Sequence, residues 1–218
     1  HLLIDQALPR LLAEQGELVV HAACIGIGDT GVLFLGRSGW GKSTLASLLH
    51  GRGHQLVSDD CGILSVDQGV VSATPTYPSL RLYHDSAHHR YGEDLPDAIS
   101  VAHYSRQQRL RVDEAHHDAP IAIAAIYLLN NPADANGTLA IAALPPAVAC
   151  IALIEHGFRL NLASREHSTR QLRQAADIVR AVPAWSLSYP RDFSQAHRVI
   201  DTLLNHVAIS AGKPLPFG

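Results

Sequence analysis

GVLFLGRSGWGKSTLASLLH, residues 31–50, opens as an apolar β-rich run, passes through three glycines and a lysine, and continues as an apolar stretch at helical spacing. Gly36, Gly41, Lys42 and Ser43 satisfy G-x-x-x-x-G-K-[ST], and the strand before and helix after that this pattern needs are both legible here. Its glycines let the backbone curl so that successive N–H groups of Gly36, Arg37, Ser38, Gly39, Trp40 and Gly41 can face a phosphate. The N-terminus of the following helix adds its partial positive charge. Lys42 is placed to reach the outer phosphates, Ser43 to ligate a magnesium ion that bridges them, and Thr44 to support both. The Trp40 ring could stack on a base, although its position inside the loop favours packing on neighbouring structure.

The elements on either side read as mixed strands and helices, which defines an α/β class and one domain over residues 1–218. Residues 2–15 space apolar side chains as an amphipathic helix packed on a sheet, stopped by Gly16. A nucleotide-binding core over 17–64 follows: a hairpin about GDTG, the loop, the helix from Lys42 to His50, and the strand HQLVSDD. A further hairpin turns about DQG. From 77 to 118 the chain is rich in His, Arg, Asp and Tyr with weak periodicity, which predicts an irregular region able to serve as a lid over the substrate. IAIAAIYLLN is a buried strand and TLAIAAL a shorter one. The 145–207 part is mainly helical: an apolar helix through AVACIALIEHGFRL, a charged helix near 168–182, the strand AWSLSY and a closing helix over 194–207.

A phosphate cradle does not define a reaction; the acids narrow it. The best late strand ends in Asn130 and Asn131, whereas Asp59 and Asp60 end the strand after the loop's helix. Adjacent residues in a strand point to opposite faces, so the two carboxylates should do different work. One can bind the metal while the other accepts a proton from an attacking hydroxyl.

Composition excludes several classes. The net charge is −3, and all but two of the 17 basic residues are arginines scattered along the chain, which argues against phosphate-driven nucleic-acid binding. In such a chain Lys42 stands out as a compact point charge. No apolar run is long enough to span a membrane and no signal-peptide pattern opens the chain, so a cytoplasmic protein without membrane association is expected. Three separated cysteines, Cys24, Cys61 and Cys150, support neither a disulfide framework nor a thiolate zinc site. The chain begins at His1 and contains no methionine, so a start residue is expected ahead of it.

The block HAACIGIGDTGVLFLGRSGWGKSTLASLLHGRGHQLVSDDCGIL, residues 21–64, resembles the catalytic core of HPr kinase/phosphorylase: a histidine-led strand, a hairpin, the phosphate loop, a helix ending RGH and a strand ending DD. The resemblance implies a phosphoenolpyruvate-carboxykinase-like P-loop fold and magnesium-dependent transfer from ATP to a serine hydroxyl. It equates His21 with the family's active-site histidine and Asp59 and Asp60 with its paired acids. Asp60 is assigned as general base and Asp59 as metal-linked or orienting, an assignment open to exchange. The family's later glutamate-bearing segment has no counterpart here. PTYPSLRLYHDS, IYLL, EHGFRLNL, RAVPAWSLSYPRD and the leading LLIDQALPRLLAEQGELVVHAA instead resemble shorter HPr-kinase-related proteins of modified-peptide biosynthesis, including kinases of lasso-peptide precursors. That resemblance implies a ribosomally made peptide as the phosphate acceptor. HPr, free serine, or a regulator that holds ATP without transferring it are the alternatives, and a homo-oligomer follows by analogy.

Arg81 in SLRLY and Arg159 in GFRL each sit on an apolar segment, where a guanidinium needs either a substrate anion or an internal acid. His88, His89, His116 and His117 read as solvated pairs rather than a metal site.

Overall fold

The computed structural model describes residues 3–94, 98–100, 106–112, 116–134, 137–160 and 164–210. Its N-terminal segment is a turn of π-helix, Leu3–Ala7, running into α1 (Leu8–Glu14), which meets β1 (Leu18–Val20). Pro9 is buried, but Leu3, Ile4, Leu8 and Leu11 remain exposed, so the apolar stripe of the expected helix is only partly covered by the sheet.

Strands β2 (Ala22–Ile27) and β3 (Thr30–Leu35) form the expected antiparallel hairpin, from Ala22 opposite Leu35 to Ile27 opposite Thr30. β3 feeds the glycine loop and α2 (Lys42–His50), which β4 (Gln55–Ser58) follows. The second hairpin is β5 (Gly62–Asp67) with β6 (Val70–Thr74). Further on lie β10 (Ile121–Leu129), β11 (Ala140–Ala143), α4 (Pro146–Glu155), α5 (Arg165–Ala181), β12 (Ala184–Ser188) and α6 (Ala196–Ser210). Among the described residues nine strands join one sheet in the order β1-β5-β6-β10-β3-β2-β4, with β12 on β10 and β11 on β12.

β3, β10 and β12 run parallel, so β10 is covered on both faces and reads as an unbroken apolar run. The alternation along β3 splits the core in two. Val32 and Phe34 pack with Leu45 and Leu49 of α2 and Val199 and Leu203 of α6 on one face. Leu33 and Leu35 pack with Leu153 of α4 and Ile178 of α5 on the other. The architecture is therefore α/β, with helices on both faces of a mixed sheet.

Two expectations need correction. The 77–118 segment is not irregular where it is described: β7 (Ser79–Tyr83), α3 (His84–Tyr91), β8 (Ala98–Ser100) and β9 (Gln107–Arg111) form a helix and a three-stranded sheet in the order β7-β9-β8. Its strands are short and β9 is QQRLR, so one polar face hides the period that Leu80, Leu82 and Leu110 supply to the core. The helix expected to run on through EHGFRL ends at Glu155. His156 closes it, and Phe158 donates its amide to Val19 at 2.8 Å, which draws the segment alongside β1.

Candidate active site

The phosphate loop hangs from the end of β3 and closes on the N-terminus of α2, whose first amides lack intrahelical partners. Gly41 has φ +102°, and a Cβ there would overlap the hydroxyl of Tyr189, which donates to Trp40 O at 3.2 Å. That tyrosine, one residue past β12, clamps the loop. Its place was not legible because the residues meeting here are 149 apart in sequence. The Trp40 ring packs against the core beneath the loop, and Gly36 would place a Cβ 3.6 Å from it. Trp40 is thus a packing residue that serves the loop through its backbone.

Lys42 is 5% exposed, and its Nζ donates to Gly36 O at 2.7 Å and Arg37 O at 3.3 Å. Burial lowers its pKa, and the charges of Asp59 and Asp60 act in the opposite direction. Ser43 Oγ donates to Asp59 Oδ1 at 2.9 Å, and the other oxygen of Asp59 accepts the Arg81 amide at 2.8 Å. Burial, followed by the neighbouring charge of Asp60, pushes Asp59 up to about 7, against the pull of those two hydrogen bonds and of Lys42. Thr44 Oγ1 lies 3.2 Å from Ser86 Oγ, tying the loop's helix to α3.

Asp60 takes a different direction from Asp59. Its φ is +68°, so the chain turns out of the strand at this residue, and its Oδ2 receives Arg81 Nη1 at 3.1 Å. His21 Nδ1 lies 2.9 Å from Asp60 O. A carbonyl can only accept, so Nδ1 carries the hydrogen, and with the imidazole neutral Nε2 is left as an acceptor. Burial and the Lys42 charge lower the pKa of His21, which favours that neutral form. The His21 amide in turn donates to His156 O at 2.7 Å, so the loop after α4 helps place it.

A cavity of about 630 Å³ joins these groups: His21, Ser38 and Gly39 of the loop, Gly41 to Thr44, Asp60 and Arg81 line it. On its far side stand Tyr83 to Ser86, Arg106 and Gln107, and the segment Tyr189–Phe193 leading into α6. Of the cavity residues in the polar 77–118 stretch the sequence singled out Arg81 alone; Tyr83 to Ser86, Arg106 and Gln107 carry no motif that separates them from a solvated loop. Arg159 does not join the cavity; its guanidinium donates to Ile154 O at 2.8 Å, at the end of α4. Arg81 has the internal partner that the sequence left open. Among the described residues no group of three His, Cys, Asp or Glu could hold a metal ion.

Ser43 and Asp59 present hard oxygen donors side by side, which fits Mg²⁺, an ion commonly held by one or two protein oxygens with phosphate and water completing its shell. Among the described residues no helix is long and apolar enough to cross a membrane.

Comparison with known proteins follows the same segment. Residues 12–76 match the family model of the HPr Serine kinase C-terminal domain. The chain is 48% identical over 61 residues to the putative HPr kinase/phosphorylase 2 of Oceanobacillus iheyensis, covering 28% of this chain and 19% of the relative. It is 47% identical over 53 residues to the HPr kinase/phosphorylase of a Geobacillus species, covering 24% of this chain and 17% of the relative. The matches thus span about a fifth of the length of these relatives or less. A solved structure, the Hpr(Ser) kinase/phosphatase from Coxiella burnetii, aligns with a TM-score of 0.45 at 15% identity over 89% of this chain and 99% of that one. The segment that builds the phosphate loop and the paired acids is therefore similar to the HPr serine kinase C-terminal domain.

Proposed function

We propose that the protein is an ATP- and Mg²⁺-dependent kinase that moves the γ-phosphoryl group onto a serine hydroxyl of a peptide, a ribosomally made precursor of the lasso type. The observation that carries the reading is the division of labour between neighbouring acids. Asp59 is buried against the Ser43 hydroxyl, and Asp60 stands in the same cavity paired with Arg81. The loop amides and Lys42 hold the phosphates, and Ser43 and Asp59 would hold the magnesium ion, which when bound neutralises charge on the outer phosphates. Asp60 accepts the proton of the serine hydroxyl as its oxygen bonds to the γ-phosphorus. The bond to the bridging oxygen breaks, and ADP leaves with the electron pair. Arg81 orients the Asp60 carboxylate, and the His21 ring fixes the Asp60 backbone. The similarity to proteins named HPr kinase/phosphorylase supports HPr as the acceptor equally well.

Mass spectrometry after incubation with ATP and Mg²⁺ tests this against HPr, free serine and serine-bearing precursor peptides. One phosphate on the peptide, absent with Asp60→Asn, is expected. Transfer to HPr alone would replace the acceptor, and no transfer to any of the three despite tight ATP binding would overturn the kinase reading.

A further inference from the structure

The sheet edge that carries the phosphate loop has two flanks. β4 is antiparallel to β2, which is antiparallel to β3, so β4 runs in the direction of β3, as β10 and β12 also do. The C-terminal ends of these four strands therefore lie along one edge, where open α/β sheets bind their ligands. In the order β12-β10-β3-β2-β4 the loop stands in the middle. The acids that follow β4 are on one side of it, and Tyr189–Phe193, which follows β12, is on the other. With Asp60 marking the acceptor end, the phosphates cross the loop from that flank, and the group that carries them falls on the β12 flank.

That flank is shaped for a flat apolar group. Leu45 and Leu48 of α2, Ala196 and Val199 of α6, and Phe193 line the cavity there. Leu48 lies about 9 Å along the helix axis from Lys42, comparable to the span of a sugar and one phosphate. The Phe193 ring stacks on His89 of α3, with centroids 4.3 Å apart and planes at 19°. His89 is not among the described residues that line the cavity, so it supports the ring from behind and leaves the other face toward the open space. The backbone of Phe193 is set as well: it begins the 3₁₀ turn Phe193–Gln195 that leads into α6, and Asp192 caps that turn by accepting the Ser194 amide at 2.9 Å.

We propose that Phe193 stacks on the purine base of the nucleotide whose phosphates the glycine loop holds, with Leu48, Ala196 and Val199 closing the slot around it. An aromatic ring presents an apolar face to any base, and a two-ring purine covers more of it than a pyrimidine does. His89 is a positioning residue that fixes the plane of the Phe193 ring. This inference rests on the nucleotide reading of the loop, and base binding itself requires no transfer.

The test is titration calorimetry of ADP, CDP and inorganic pyrophosphate in the presence of Mg²⁺. Phe193→Ala should weaken ADP about tenfold and leave pyrophosphate unchanged, which also shows that the loop is intact in the variant. Phe193→Tyr should keep the affinity for ADP. His89→Ala should weaken ADP by a smaller factor, again with pyrophosphate unchanged. CDP should bind the parent more weakly than ADP and lose less on Phe193→Ala. Equal losses of ADP and pyrophosphate on Phe193→Ala would make the ring a prop for the loop, and no loss of ADP would place the base elsewhere; either result, or equal affinity of the parent for ADP and CDP, would overturn the proposal. Lys42→Ala should weaken ADP and pyrophosphate together, and if it weakened neither, the nucleotide reading of the loop and this inference would fall together. ADP bound in the expected pattern by a protein that transfers phosphate from ATP to no acceptor would support the base site and count against the kinase reading alone.

Discussion

Asp59→Asn isolates the electrostatic cost of placing a carboxylate where Ser43 and Arg81 can reach it. Asp59 is 9% exposed, and burial with the charge of Asp60 raises its pKa from 3.8 to about 7. Between those values the folded protein keeps a proton that the unfolded chain has released. Stability from this group therefore falls as pH rises from about 4 to about 7, and stays low above that. At full ionisation the displacement corresponds to about 4 kcal/mol. Asparagine removes that cost. It can still accept from Ser43 through its oxygen, but its amide nitrogen then faces the Arg81 N–H, and a donor set against a donor costs about 1–3 kcal/mol. The variant should be more stable than the parent by about 1–3 kcal/mol near pH 8, and less stable by a similar amount at about pH 3.5, where the parent's Asp59 is neutral when folded and largely neutral when unfolded. Urea unfolding at both pH values, with and without Mg²⁺, reads this directly, and the cation should stabilise only the parent. A variant destabilised equally at both pH values would refute the reasoning.

Gly41→Ala should weaken nucleotide binding at least about tenfold by calorimetry, because its φ is +102° and a Cβ meets the Tyr189 hydroxyl; adding Tyr189→Phe should recover part of the loss. Failure of the second change to recover anything would remove Tyr189 as the clamp. Ser43→Ala should reduce nucleotide affinity measured with Mg²⁺ and leave the Mg²⁺-free value unchanged; an equal drop in both would assign the hydroxyl to the loop's structure. Arg159→Ala should lower stability by about 0.5–1.5 kcal/mol through the lost bond to Ile154 O, with phosphoryl transfer unaffected, and a change in peptide KM would return Arg159 to the site.

Local chemistry made the core legible. The glycine loop, its strand and its helix, the two hairpins and the buried β10 each carry their own period and turn residues within a short window, and the helix Lys42–His50 has the bounds its sequence gives. What the sequence hides is contact made at long range. Tyr189 meets Gly41, His156 holds His21, and Ser86 meets Thr44 only because the residues just past β12, just past α4 and within α3 return to the elements around the loop. The β7-β9-β8 sheet was hidden for another reason. One of its faces is built from Arg, Gln and Tyr, so composition resembles a loop while only Leu80, Leu82 and Leu110 keep the strand period.

The paired acids show why spacing alone misjudges a site. Strand alternation places Asp59 and Asp60 on opposite faces, yet both reach the groups around the phosphate loop, since β4 has ended at Ser58 and Asp60 adopts φ +68°. Few residues with a side chain tolerate that conformation, and aspartate and asparagine are among them. Asp60 therefore satisfies two demands at once: a backbone that reverses the chain so that its carbonyl meets His21, and a carboxylate held by Arg81. Alanine at this position would disturb the turn along with the chemistry, and glycine would free the turn. Asparagine keeps the turn but removes the negative charge, and with it the ion pair to Arg81 as well as the ability to accept a proton, so its loss of activity reports on the base where nucleotide affinity is unchanged.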